Sequence, residues 1–211
     1  MTTCDELGDV KGRLSSCQAF QKRSFDFIFS AFGLLVFWWL ILIAWIAASY
    51  DTRSNGFFIQ RRVGRNGRIF KVIKIKTMRP IDSFNTTVTR RGDPRITSLG
   101  AFLRRTKIDE LPQLFNVFIG EMSFVGPRPD VPGFADKLSG DEQVMLSIRP
   151  GITGPATLKY RNEEELLAEQ DDPDAYNAEV IWPDKVKINI EYIRKWSLSR
   201  DFQYILQTVF H

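Results

Sequence analysis

Asp109 and Glu110 stand side by side within TKIDELPQLFNVFIGEMSFVGPRPD, residues 106–130. The pair opens an apolar-periodic stretch; an arginine-rich segment precedes it and a Gly126-Pro127-Arg128-Pro129 turn follows it. Two carboxylates set among many cations suit chemistry on a phosphorylated substrate, because cations hold phosphate oxygens while a carboxylate and a metal ion do the work. Asp109 also stands where a helix N-cap would, and Pro112 is tolerated in a first turn. A capping aspartate with a glutamate beside it is the plain structural alternative. Arg104, Arg105 and Lys107 crowd the same turn, however, and a cap needs no such company. A helix N-terminus also welcomes phosphate. One carboxylate could then attack phosphorus while its neighbour binds Mg2+ or manages a proton.

Further cations cluster near turns: Lys74, Lys76, Arg79, Arg90, Arg91, Arg95, Arg128 and Arg149. For most, solubility or membrane-surface charge is reason enough. Arg128 is the sharpest, because flanking prolines restrict its backbone and pre-orient its guanidinium fork. The sole histidine is His211, and the only cysteines are Cys4 and Cys17. That excludes a disulfide framework and leaves acids, lysines and arginines to carry any reaction. No P-loop, GxGxxG fingerprint or GxSxG elbow is present.

The elements that must position these residues begin with an uncharged run, FIFSAFGLLVFWWLILIAWIAASY, at 27–50. As a helix it would reach roughly 36 Å, against a bilayer core of about 30 Å. A membrane-inserted helix is expected over 22–50, after a polar tail at 1–21 and before a catalytic domain at 51–211. A buried core helix is the alternative; a cleavable signal is disfavoured by the length of the run. From Arg53 to Lys107 there are fifteen Lys or Arg and two acids, whereas from Asp109 to Glu179 there are fifteen acids and five bases. A cationic block directly after a membrane segment fits the cytoplasmic side. Lys11, Arg13, Lys22 and Arg23 make the preceding flank basic as well, which leaves room for a segment that enters and leaves the same face.

Short strands are expected over 56–60 and 69–78 around the turn Gly64-Arg65-Asn66-Gly67. In the second, Phe70, Val72, Lys74 and Lys76 share one face, and Ile69, Lys71, Ile73 and Ile75 the other. Residues 80–95 read as loop, 97–106 and 109–119 as helices. Leu111, Leu114, Phe115 and Phe118 form an apolar stripe that suits core or membrane. A helix near 140–148 ends at Arg149-Pro150-Gly151, the acidic stretch 162–179 reads as a solvated insert, and 185–196 reads as a helix. Phe202, Ile205, Leu206 and Val209 give the last segment one apolar face, for a membrane surface or a core. The fold class is α+β: a hydrophobic membrane helix, then a small helical domain with a short β-hairpin and interfacial amphipathic helices.

KIDELPQLFNVFIGEMSFVGPRP, together with KRSFDF at 22–27, KIKTM at 74–78, TRRGDPRIT at 89–97 and RPGITG at 149–154, resembles the monotopic phosphoglycosyl transferases, bacterial sugar transferases that begin glycan assembly on a lipid carrier. The resemblance runs from about Lys22 to Gly154 and more loosely to the C-terminus. It implies a Mg2+-dependent enzyme of the bacterial inner membrane, with its catalytic domain on the cytoplasmic face. Such an enzyme moves a sugar phosphate from a UDP-sugar to polyprenyl phosphate and releases UMP. Carried onto this chain, Asp109 would be the nucleophile that forms a covalent phosphosugar, and Glu110 its metal ligand or base. Asp109 and Glu110 would share the metal, and Arg104, Arg128, Lys76, Arg149 and Arg95 would hold phosphate or nucleotide. The partners implied are donor, lipid acceptor and membrane lipid, without nucleic acid, and a homodimer is compatible. The family's membrane helix is usually broken by a Ser-Pro pair; here Trp38-Trp39 occupies that place and 27–50 holds no proline. Re-entry is still favoured over spanning, from the resemblance and the basic flanks. Two other readings compete: a tethered module binding nucleic acid or anionic lipid through 53–107, and an idle scaffold of the same fold. The module would need neither Asp109-Glu110 nor the rigid Gly-Pro-Arg-Pro turn, and the complete motif set argues against the idle scaffold.

Overall fold

The computed structural model describes residues 12–79 and 93–210. Arg90, Arg91, Cys4 and most of the expected loop at 80–95 lie outside the described residues. Helix α1 spans Ser16–Thr52, 37 residues and therefore about 55 Å. It starts inside the segment expected to be a polar tail, because Ser15 and Gln18 form a reciprocal capping box. It continues through Trp38-Trp39 as one helix and ends at Arg53 in the left-handed conformation, φ 50°. Lys22, Asp26, Ser30, Gly33, Ala44, Ala48 and Thr52 are its buried residues. They recur at helical spacing along one stripe. Small residues let the body approach closely: a Cβ on Gly33 would lie 3.1 Å from the Leu114 side chain, and Ala44 and Ala48 pack with Ile75 and Leu103. Near its start, Arg23 donates to the Val117 and Phe118 carbonyls at 2.7 Å each. Both ends of α1 thus rest on the same body. Phe29, Phe32, Leu35, Trp38, Trp39, Ile43 and Ile46 stay exposed. So large an apolar face is consistent with membrane association.

Strands β1 (Phe57–Val63) and β2 (Ile69–Ile75) form an antiparallel hairpin with Phe57 opposite Ile75 and Val63 opposite Ile69. β1 runs past the expected 56–60, and β2 stops short of 78 because Met78 bridges separately to Ile96. Phe70 and Val72 face inward onto Val117 and Met122, and the same face carries Lys74. Ile75, on the opposite face, is buried too, since α1 covers that end of the hairpin. Buried Asn116 clamps the free edge of β2. Its Oδ1 accepts from Ile73 N, while Nδ2 donates to Lys71 O and to Glu121 Oε2. A polar side chain satisfying a strand edge fixes register and closes that edge to other chains.

Helix α2 (Ser98–Arg105) is capped by Thr97, whose hydroxyl accepts from Gly100 N. Gly100 carries no side chain for a steric reason: a Cβ there would lie 2.1 Å from the Thr77 carbonyl oxygen. The helix expected over 109–119 divides. Lys107 turns left-handed at φ 59°, Ile108–Glu110 make a 3-10 turn, and α3 begins only at Gln113 and runs to Ile119. Asp109 is therefore not the cap of that helix, and Pro112 takes the position before its first turn. The apolar stripe of α3 splits as well: Leu114 is buried, Phe118 stacks on Phe27 of α1 at 5.0 Å, and Phe115 is exposed.

β3 (Ser123–Val125) and β4 (Gly151–Thr153) pair in parallel, with the Gly126-Pro127-Arg128-Pro129 turn leaving the end of β3. The helix expected near 140–148 is a 3-10 stretch, Gly140–Ser147. α4 (Pro155–Lys159), α5 (Glu163–Ala168) and α6 (Pro173–Tyr176) bring in the acidic insert. α7 (Trp182–Arg194) supplies Tyr192 and Ile193 to a core with Val125, Val144, Ile148 and Trp196. α8 (Leu198–Phe210) packs Tyr204 and Ile205 against that core and leaves Phe202, Leu206, Val209 and Phe210 exposed.

Candidate active site

Four local structures converge on the acid pair. The 3-10 turn presents Asp109 and Glu110, β2 brings Lys74, the end of α2 brings Arg104, and the turn after β3 brings Arg128. Lys74 Nζ donates to Glu110 Oε1 at 2.8 Å, and Arg128 Nη2 lies 3.9 Å from the same oxygen. Arg104 Nε donates to Thr77 Oγ1 at 2.8 Å, which is possible because Gly100 lets α2 press against Thr77. Arg62 Nη1 donates to the Pro129 carbonyl at 3.1 Å and Val63 N to the Asp130 carbonyl at 2.9 Å. The hairpin thereby holds the turn that carries Arg128.

The two carboxylates differ in state. Asp109 is only 8% exposed, and its buried Oδ1 has no hydrogen-bond partner. Burial and then the Glu110 charge push its carboxyl up to about 6, against the pull of Lys74, Arg104 and Lys107. For Glu110, burial pushes upward too, but Lys74, Arg128 and Lys107 together outweigh it and hold the group down at about 2. Burial lowers Lys74, against the upward pull of Glu110. Glu110 is therefore a fixed anion committed to Lys74. Asp109 is a desolvated carboxylate with an uncommitted oxygen in a field of cations. A weakly solvated anion of that kind can attack an electrophile or take up a cation.

Of the residues expected at the site, Asp109, Glu110, Arg104 and Arg128 come together. Lys76 donates to Ser54 Oγ at 2.9 Å. Arg95 is forked onto Asp93, with Nη2–Oδ2 at 2.6 Å, and its carbonyl accepts from Arg79 N. Arg149 Nε donates to the Gly120 carbonyl at 2.7 Å. It therefore sits at the C-terminal end of α3, about one 10 Å helix length from the end nearest Asp109. Lys74, Asp130 and Arg62 received no site role from sequence. The inward face shared by Phe70, Val72 and Lys74 was the available signal for Lys74. Asp130 directly follows the Gly-Pro-Arg-Pro turn. Burial pushes its carboxyl up to about 6, against Lys185, Arg62 and Arg128.

The family described as bacterial sugar transferase matches residues 17–211. The chain is 31% identical over 204 residues to the exopolysaccharide production protein ExoY of Rhizobium meliloti (strain 1021), across 89% of this chain and 83% of that one. It is 34% identical over 194 residues to a UDP-glucose:undecaprenyl-phosphate glucose-1-phosphate transferase of Caulobacter vibrioides, across 90% of this chain and 68% of that one. It is also 37% identical over 204 residues to an undecaprenyl-phosphate glucose phosphotransferase of Komagataeibacter xylinus, covering 93% of this chain but 36% of that longer protein. With its acid pair, its arginine turn and nearly its whole length inside the match, this chain belongs to the bacterial sugar transferase family.

Proposed function

We propose that the protein transfers a sugar 1-phosphate from a UDP-sugar to polyprenyl phosphate, through a covalent phosphosugar on Asp109. The observation that carries this reading is the buried, unpartnered Oδ1 of Asp109 beside a Glu110 already neutralised by Lys74. The names of the Caulobacter and Komagataeibacter relatives support the substrate classes. In the first step an Asp109 oxygen forms a bond to the β-phosphorus. The bond from that phosphorus to the bridging oxygen breaks, and UMP leaves with that oxygen and the electron pair. In the second, a phosphate oxygen of the lipid attacks the same phosphorus and the Asp109 carboxylate departs. Arg104, Lys107 and Arg128 hold phosphoryl oxygens as charge shifts among them. Splitting the transfer lets a soluble donor and a lipid acceptor use one small site in turn.

Mg2+ suits this donor set. It binds through one or two carboxylates and completes its shell with water and substrate phosphate oxygens. Among the described residues no three His, Cys, Asp or Glu side chains gather to cage a metal. Asp109 and Glu110 would hold the ion, and it would supply charge neutralisation of the diphosphate when bound. With its carboxyl held at about 2, Glu110 is a weak base and serves better as ligand and electrostatic anchor.

The same reading seats α1 in one leaflet of the bacterial inner membrane with the body on the cytoplasmic face. Lys22 and Thr52, about 45 Å apart along the helix, are both buried against that body. A crossing orientation would carry the body into hydrocarbon. Cys17 and a cysteine introduced by Arg53→Cys should therefore label from the same, cytoplasmic side of sealed vesicles. Labelling of the two from opposite sides would contradict this seating.

The reading is tested by UMP release from a panel of UDP-sugars, UDP-glucose first, with undecaprenyl phosphate and Mg2+. Release with one donor supports it, and no release with any donor contradicts it. The pH dependence adds a sharper check. Asp109 must be ionised to attack, so kcat/KM should rise with pH through an apparent pKa about 6 and level above it. Lys74 helps to hold Asp109 ionised, so Lys74→Met should move that limb to higher pH. A limb near 4, or a downward move in Lys74→Met, would refute the assignment.

A further inference from the structure

At the end of α3 away from Asp109 lies a groove of about 490 Å³, walled by Arg65, Arg68, Phe70, Gly120, Glu121 and Arg149. It is strongly cationic. Arg65 and Arg149 each spend Nε on a backbone carbonyl, of Ser147 at 2.9 Å and of Gly120 at 2.7 Å. Among the described residues the Nη groups of both make no hydrogen bond. Arg68 is exposed at the tip of the hairpin. Among the described residues, none of the three forms an ion pair with a carboxylate. The single acid of the groove, Glu121, is drawn toward Asn116 by a 2.8 Å hydrogen bond. Burial first, then the neighbouring Arg23 and Arg65 charges, pull Arg149 below its ordinary range. Three guanidinium groups against the one carboxylate of Glu121 leave the groove with an excess of positive charge, and an anion taken up between them offsets it.

The depth of the groove indicates which anions reach it. Its Gly120 wall abuts α1: a Cβ on Gly120 would come 3.2 Å from the Arg23 guanidinium. Arg23 lies one helical turn before Phe27, where the uncharged run begins, a rise of about 6 Å. Ile69, which also lines the groove, is half exposed beside it. A cationic cleft with an apolar lip, at the level where the hydrophobic helix begins, matches the height of lipid phosphates.

We propose that Arg65, Arg68 and Arg149 form a second anion site, separate from the acid pair, that binds the phosphate group of a membrane lipid. Guanidinium forks suit phosphate oxygens in pairs. The phosphate can come from an anionic phospholipid headgroup or from the end of a polyprenyl phosphate. The site keeps either one against the protein while the acid pair works about one α3 length away.

Native mass spectrometry of the detergent-solubilised full chain tests this, with phosphatidylglycerol, phosphatidylcholine or undecaprenyl phosphate added separately. The expected result is one retained phosphate lipid, bound about tenfold more weakly in Arg68→Gln and in Arg149→Gln, and unchanged in Asp109→Asn. Arg68 bonds to the hairpin turn through its backbone alone, and among the described residues its guanidinium makes no hydrogen bond, so Arg68→Gln reports on the site independently of folding. Preferential loss of phosphatidylglycerol in that variant identifies a phospholipid headgroup, and loss of undecaprenyl phosphate alone identifies the lipid acceptor. Equal retention of phosphatidylcholine, or retention unmoved by Arg68→Gln, overturns the proposal. Neither outcome bears on Asp109, whose test is UMP release.

Discussion

Asp109→Asn is expected to lower the rate of sugar-phosphate transfer by a factor of about a thousand or more, because an amide oxygen cannot form the acyl phosphate bond. The same substitution should make the protein more stable. Asp109 titrates about 6 in the folded chain against an ordinary 3.8. The folded state thus holds this proton more tightly than the unfolded one. Ionising Asp109 costs stability progressively as pH rises from about 4 to about 6, and the cost is complete above that. It amounts to about 3 kcal/mol at neutral pH. Asp109→Asn removes the buried charge and should raise the melting temperature by several degrees at pH 7, with little difference near pH 4. Glu110→Gln supplies the contrast. It strands Lys74 in a partly buried position without its 2.8 Å partner and should lower stability as well as activity. A destabilised Asp109→Asn with full activity would show that this carboxylate is structural.

The second large effect concerns how α1 is fastened. Lys22 Nζ lies 2.6 Å from Asp201 Oδ2 with both side chains almost fully buried. Tyr192 OH and Trp196 Nε1 also donate to Asp201, at 2.5 and 3.1 Å. Lys22→Met leaves Asp201 ionised in the interior without a cation, and should cost about 3–5 kcal/mol. Thermal unfolding in detergent reads this directly. Adding Asp201→Asn to Lys22→Met removes the stranded charge and should recover part of the loss. The exposed pair Lys195–Glu191 is the control, since about 60% of each side chain is in solvent; breaking it should change stability by less than about 1 kcal/mol. A Lys22→Met protein as stable as that control would mean that α1 is held by its apolar stripe alone.

Much of this arrangement was legible in the residues, and its failures have physical causes. The uncharged run announced α1 because length and composition alone decide what can cover a bilayer. Its true start at Ser16 depended on a capping box that opens at Ser15, seven residues before the basic motif. The alternation of β2 was readable, so Phe70, Val72 and Lys74 were placed on one face and Ile75 on the other. Which face is buried was not readable, because α1, about thirty residues earlier in the chain, covers Ile75 on the second face as well. The acid pair was conspicuous for its company of cations, but its separation from α3 was not, since nothing in the local sequence forces Lys107 left-handed. Arg149 and Lys74 illustrate the remaining gap. Both are cations near motifs, and only the packing of β2 and α3 sends one to Glu110 and the other to Gly120.

The most direct test of the central claim is intact-protein mass spectrometry after incubation with Mg2+ and the UDP-sugar that supports UMP release, with no lipid acceptor. The account predicts a mass increase of one sugar phosphate, localised to Asp109. It should be absent in Asp109→Asn and discharged when undecaprenyl phosphate is added. A protein that releases UMP only when acceptor is present, and never carries the adduct, would contradict transfer through Asp109 and indicate direct attack by the lipid phosphate.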